Sequence, residues 1–422
     1  MGQTIAQKIL AAHSSRKECD VGEILNPQVD VAMSHENAAL VSKVFKTIGV
    51  ERVWDADKIV IPLDHRVPAN DIKTAEGHKW IRGIVKEYGI KNFYDIRAGI
   101  CHQVLPEKGH VKPGMLIVGT DSHTTTYGGL GAFSTGIGAT EMAAVWATGS
   151  LWLRVPETLR INVEGNLGNG VYSKDVILKV IGKLGADGAD YKSCEFYGDT
   201  VENFSVGSRM TICNQAMEMG AKAAICPPDE KTFAYLRERT DGRFDPVYAD
   251  ADAAYEAAYD FAAGDIAPQV SCPHNVDNVK DVDDPKIAGL EIQQAVLGSC
   301  TNGRLEDLEA AARIMKGKTI PMSVRMVVIP ASQRVYLDAI EAGYIQTFIE
   351  SGAVVLNAGC GPCLGAHQGI LASGERAISS TNRNFKGRMG SPDSEVYLAS
   401  PATVAASAIA GRIADPREVT GA

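Results

Sequence analysis

The sequence predicts an α/β protein of more than one domain. Short apolar runs of strand length alternate with segments whose apolar residues recur at helical spacing. A chain of 422 residues also exceeds what one hydrophobic core usually holds. A third observation concerns the polar residues. Asp64-His65, Asp121-Ser122-His123, Cys300 and Cys360 each follow an apolar strand directly. Ligands of parallel α/β sheets sit at the carboxyl ends of strands, so this placement sends all four groups towards a cleft.

Taken in order, Ser34 is expected to cap a helix with Ala38, Val41, Phe45 and Ile48 on one face. Lys58 to Leu63 is a buried strand that ends at Asp64-His65, and Met115 to Val118 is another, ending before Asp121. A composition change near Pro156 opens a second unit. There Ile161 to Gly165 suggests a strand, and Ser173 a cap for the helical run Val176, Ile177, Val180, Ile181 and Leu184. From Gly264 to about Asp284 the chain is rich in Pro, Asp and Asn without periodicity, and reads as a linker. A third unit follows, with short strands at Ala295–Leu297, Met326–Ile329 and Val354–Leu356 and a helix from Leu305 to Met315. The expected domains are residues 1–158, 159–283 and 284–422. Internal repeats and low-complexity segments are absent.

Apolar and charged fractions of 45% and 22% are those of a globular protein, and no apolar run reaches membrane-spanning length. A net charge of −9 argues against nucleic acid as an obligatory partner and requires local cations to meet an anionic substrate. Nine scattered cysteines and a start without secretory or transit character point to reduced thiols in the cytoplasm.

Three of those cysteines carry most of the chemistry: Cys300 in Gly298-Ser299-Cys300-Thr301-Asn302, and the pair in Gly359-Cys360-Gly361-Pro362-Cys363. A 4Fe–4S cluster normally takes four thiolates. Three leave one iron with an open position, where it can act as a Lewis acid. A lone C-x-x-C also suits a redox dithiol or half of a zinc site, but the first would open a helix in a thioredoxin-like unit and the second would want a fourth ligand at matching spacing.

Asp64-His65 and Asp121-His123 each set a carboxylate near an imidazole, which fixes the tautomer and suits a proton carrier; His102 is a third candidate. Taken singly such histidines are more often structural, but three of them after strand ends favour a site. Glu218 lies in an otherwise apolar helix, where Met217 and Met219 argue for burial beside a partner rather than a surface place. Arg383 and Arg388, in Asn382-Arg383-Asn384-Phe385-Lys386-Gly387-Arg388, can each grip a carboxylate bidentately, although the same pattern suits a solvated loop. The stretch Gly128 to Ser134 is no dinucleotide fingerprint, because Ser134 stands where the third glycine is required.

Together these motifs resemble the aconitase superfamily along nearly the whole chain, and most closely the large subunits of two-chain 3-isopropylmalate dehydratases and homoaconitases. The resemblance rests on Cys-His-Gln at 101–103, Gly-Thr-Asp-Ser-His-Thr at 119–124, Gly-Ser-Cys-Thr-Asn at 298–302, Cys-Gly-Pro-Cys at 360–363 and Asn-Arg-Asn-Phe-x-Gly-Arg at 382–388, in family order. It implies three α/β domains around a central cleft. It also implies a 4Fe–4S cluster on Cys300, Cys360 and Cys363, whose remaining iron binds the substrate hydroxyl and carboxylate. By the same resemblance Asp64–His65, His102–Glu218 and Asp121–His123 are the acid–base pairs, with His65 the proton donor to the leaving hydroxyl. Ser122, Asn382, Arg383 and Arg388 are the substrate contacts.

The family's serine base sits in a swivelling domain for which no sequence remains after residues 402–406, so a separate small subunit is expected to supply it. The expected reaction is that of 3-isopropylmalate dehydratase, converting 2-isopropylmalate to 3-isopropylmalate in leucine biosynthesis. Homoaconitase, 2,3-dimethylmalate dehydratase and maleate hydratase are alternatives; a cluster-free RNA-binding relative would be a different class. One segment departs from the family: His35-Glu36-Asn37-Ala38 stands where two-chain members usually read His-Asp-x-Thr. If the arginines grip carboxylates, Arg383→Lys or Arg388→Lys should raise the activation barrier by about 1–3 kcal/mol while leaving the unfolding midpoint unchanged. Wild-type kinetics in both variants would show a solvated loop.

Overall fold

The computed structural model describes residues 2–419, so the expected outer limits Met1 and Ala422 lie outside the described residues. Three sheets dominate it. The first runs, in spatial order, Asn92–Tyr94, Ile59–Pro62, Val31–Met33, Leu116–Gly119 and Phe133–Gly136, all parallel. Ile59–Pro62, Val31–Met33 and Leu116–Gly119 are buried at every residue, which is the pattern of a parallel sheet covered on both faces. The second sheet, Ala223–Ile225, Ser193–Tyr197, Thr158–Glu164 and Ala257–Ala262, is also parallel.

The third sheet corrects the sequence reading. Its parallel strands are Glu395–Ala399, Arg376–Ser379, Gln294–Gly298, Arg325–Ile329 and Val354–Val355. Its other edge is a pair of antiparallel strands, Gln269–Ser271 and Val279–Asp281, drawn from the stretch expected to be a linker. Three-residue strands in polar sequence carry too little periodicity to stand out.

Two caps also differ from expectation. Ser34 extends the first sheet, donating its N–H to the Val60 carbonyl at 2.9 Å, and the helix begins later, at Ala38–Ile48 with Asn37 before it. Ser173 is the first helical residue of Ser173–Leu184, and Tyr172 precedes it. Glu218 is buried as expected, but in a single 3₁₀ turn, Met217–Met219, beyond the helix Val206–Ala216.

The apolar groups cross between sheets: one joins Ile161 and Phe196 of the second sheet to Val296 and Leu398 of the third, and the group under the first sheet takes in Ala223 and Ile225 of the second. A further group lies where the three regions meet: Ile100, Leu105 and Tyr127 from the first, Val206 and Met210 from the second, and Ala331 with Cys300, Cys360 and Cys363 from the third. No helix among the described residues is long and apolar enough to cross a membrane.

Cys300 reaches that junction through a tight turn. Gly298 has φ 133° and Ser299 has φ 70°, and a Cβ on Gly298 would lie 2.0 Å from the Ile329 carbonyl oxygen. Gly298→Ala should therefore destabilise the protein by about 2–4 kcal/mol, read by urea unfolding.

Candidate functional site

The strand Ile59–Pro62 delivers Asp64 and His65 to the junction. Asp64 is fully buried and bonds in three directions. Its Oδ1 lies 2.6 Å from His65 Nδ1, its Oδ2 accepts the Cys101 N–H at 2.7 Å, and its carbonyl accepts the Cys360 N–H at 3.1 Å. The strand Leu116–Gly119 delivers Asp121 in the same way. Asp121 Oδ1 lies 2.8 Å from His102 Nε2 and 3.5 Å from His123 Nδ1, and its Oδ2 lies 3.4 Å from His65 Nε2. Glu218 Oε1 meets His123 Nε2 at 2.8 Å and accepts from Arg383 Nε at 2.7 Å.

The close pairs are thus Asp64–His65, Asp121–His102 and Glu218–His123. The last two exchange partners relative to the expected His102–Glu218 and Asp121–His123. Asp121 accepts the His123 backbone N–H at 2.8 Å, while the buried imidazole of His123 makes its shorter contact with Glu218. Spacing in sequence sets which residues are near one another, not which ring nitrogen faces which carboxylate.

Burial and charge distribute the protons. Burial opposes a charge on His65, but Asp64 and Asp121 outweigh it and hold the imidazole well above its usual range. His123 is raised too, burial being overcome by Asp121 and Glu218. For His102 burial prevails and its pKa falls. Asp121 stays well below the carboxylate range despite burial, because three imidazoles bond to it. Glu218 is lowered against burial by His123 and Arg383. The site thus favours a proton on His65 and on His123 and disfavours one on His102.

The three cysteines are buried and free of disulfides. Asn382 Oδ1 lies 3.4 Å from Cys300 Sγ and 3.6 Å from Cys363 Sγ, and Asn214 Nδ2 donates to Cys300 Sγ at 3.4 Å. Three thiols converging in an apolar junction, with an amide donor to sulfur, fit an iron–sulfur cluster. In front lies a cavity of about 520 Å³ lined by His65, Ser122, His123, Arg383 and Arg388, with His35 and Glu36. Asp64, His102, Glu218, Asn382 and the cysteines stand behind this lining. Asn384 fixes the arginine loop from below, its Nδ2 donating to Cys272 O at 2.8 Å and Ser271 Oγ at 3.1 Å.

Residues 7–411 match the aconitase family (aconitate hydratase). The chain belongs to the aconitase family. It is similar to a probable 3-isopropylmalate dehydratase large subunit of Methanothermobacter thermautotrophicus, at 53% identity over 99% of each chain. It matches the 3-isopropylmalate dehydratase large subunit 1 of Methanopyrus kandleri at 53%, again over 99% of each. A probable methanogen homoaconitase large subunit of Methanosarcina mazei is 53% identical over 93% of this chain and 99% of its own. Aconitase-family membership makes the protein a hydro-lyase and implies an iron–sulfur cluster.

Three contributors escaped the sequence reading. Asn214 touches Cys300 and accepts from Asn382 Nδ2. Lys174 is fully buried, donates to the Thr381 carbonyl at 2.7 Å, and is pushed by burial down to about 7. A lysine in the first turn of a helix opposes the dipole, and that was its available signal. Glu36 sits in the segment that departs from the family pattern.

The shifts fix a pH dependence. The lowered Glu218 contributes stability that is complete above the carboxylate range and is lost as pH falls through its folded pKa. The raised His123 contributes below about 6.5 and loses its contribution as pH rises through its own folded pKa. Glu218→Gln should cost about 1–3 kcal/mol near pH 6 and flatten the acid fall in stability, measured by urea unfolding from about pH 6 down to about pH 2.

Proposed function

We propose that this chain is the large subunit of a 3-isopropylmalate dehydratase, with its three sheets as the cores of three domains around the cleft. The observation that carries the reading is that three buried thiols stand behind a cavity lined by two arginines and by His65, which is paired with two carboxylates, in a chain about half identical to relatives of that name over its full length. A 4Fe–4S cluster on Cys300, Cys360 and Cys363 supplies, when bound, an iron without a thiolate ligand that acts as a Lewis acid on oxygen.

The remaining work falls to the chain's own groups. Arg383 and Arg388 grip substrate carboxylates, Arg383 being aimed by Glu218, and Ser122 and Asn382 complete the contacts. His65 holds a proton for the departing hydroxyl, kept charged by Asp64 and Asp121. His102 and His123, with Asp121 and Glu218, keep that charge pattern fixed. The proton lost from carbon needs a base, which we assign to a serine on a small subunit with a swivelling domain; the relatives' names, as large subunits, support such a partner. Homoaconitase is the second reading, favoured by the M. mazei relative. We place the enzyme in the cytoplasm, without nucleic-acid or membrane partners.

Purified without oxygen, the chain should carry about four irons, and serine at Cys300, Cys360 or Cys363 should remove them. The chain alone should not turn over 2-isopropylmalate or homocitrate, and adding the small subunit encoded beside it should restore turnover of the first. Full activity of the single chain, or preference for homocitrate, would overturn the respective part of the proposal.

A further inference from the structure

Glu36 is the one carboxylate of the cavity wall that the mechanism above leaves unused, beside the cations Arg66 and Lys73. It follows the strand Val31–Met33, at the centre of the first sheet. Its Oε1 accepts three consecutive backbone N–H groups: Asp64 at 3.2 Å, His65 at 2.8 Å and Arg66 at 3.0 Å. Successive amides aimed at one oxygen form an anion nest, and here the nest is the turn that presents His65. The other oxygen faces imidazoles. Glu36 Oε2 lies 3.4 Å from His35 Nδ1 and 3.7 Å from His65 Nδ1, while His78 Nε2 lies 3.8 Å from Oε1. His35 stacks on His65 with ring centroids 4.2 Å apart. Glu36 Oε2, His35 Nδ1 and His78 Nε2 are all buried without a hydrogen-bond partner, so two unspent imidazole nitrogens face a carboxylate that has an unspent oxygen of its own.

We infer that Glu36 is a positioning residue for His65: one oxygen clamps the backbone of residues 64–66, and the other gives the imidazole a carboxylate neighbour beyond Asp64 and Asp121. The inference rests on the reading of His65 as proton donor. The carboxylate stays ionised for this role, since burial is outweighed by His35 and His78 and its pKa lies well below the usual range. Length matters as well as charge. Aspartate, one methylene shorter, would draw the oxygen back from the three N–H groups, so the departure from His-Asp-x-Thr in this chain has a geometric consequence.

The test uses the cluster-loaded enzyme joined to its small subunit, with His65→Asn as reference. Glu36→Gln keeps an oxygen for the backbone but removes the charge. Its kcat should fall about tenfold or more, with KM within about threefold of wild type and with iron content and unfolding midpoint unchanged. Glu36→Asp keeps the charge but loses the reach, and should lower kcat in the same selective way; it carries the comparison if Glu36→Gln does not fold. Wild-type kcat in the Glu36 variants, while His65→Asn is crippled, overturns this inference alone. A raised KM or lost iron with kcat held also overturns it, since that is a structural role. Wild-type kcat in His65→Asn overturns the proton-donor reading instead.

Discussion

Asp64 is the residue on which the site's geometry depends. A fully buried carboxylate is costly unless its oxygens are bonded, and here every bond of Asp64 reaches a different part of the machinery. One oxygen orients His65, the other takes the N–H that opens the helix bearing His102, and its carbonyl receives the N–H of Cys360. His65, a neighbouring imidazole and the thiol loop are thereby set relative to one another by a single side chain and its own peptide. Gly359 reinforces this arrangement, since a Cβ there would come 2.9 Å from the Asp64 carbonyl oxygen.

Asp121 plays the complementary electrostatic part. One negative charge within 3.5 Å of three imidazoles cannot favour a proton equally on all of them. The outcome is decided by second partners: His65 has Asp64, His123 has Glu218, and His102 has only the Tyr127 hydroxyl at 3.3 Å. That ordering explains why the first two are raised and the third is lowered.

Much of this was legible in the sequence. The long apolar strands announced themselves, and the rule that ligands collect at strand ends placed Asp64, His65, Asp121, Cys300 and Cys360 together. What escaped was of three kinds. Partner choice between His102 and His123 turns on which ring nitrogen faces which carboxylate, which no spacing encodes. Lys174 and Asn214 act through distant carbonyls and thiols, and their local sequence marks them only weakly. The antiparallel pair near residue 270 failed for a third reason, because three-residue strands among Pro and Asp look like loop.

That misread stretch bears on how the protein tolerates change. Asn384, between the two arginines, hangs from the backbone of Ser271 and Cys272 and from the Asn275 carbonyl at 3.4 Å. A spacer in appearance is thus the mould against which the loop bearing Arg383 and Arg388 is cast. Shortening or grafting this stretch, the natural choice of anyone splicing the second and third sheets from different relatives, would carry the seam directly into the wall of the cavity that Arg383 and Arg388 line.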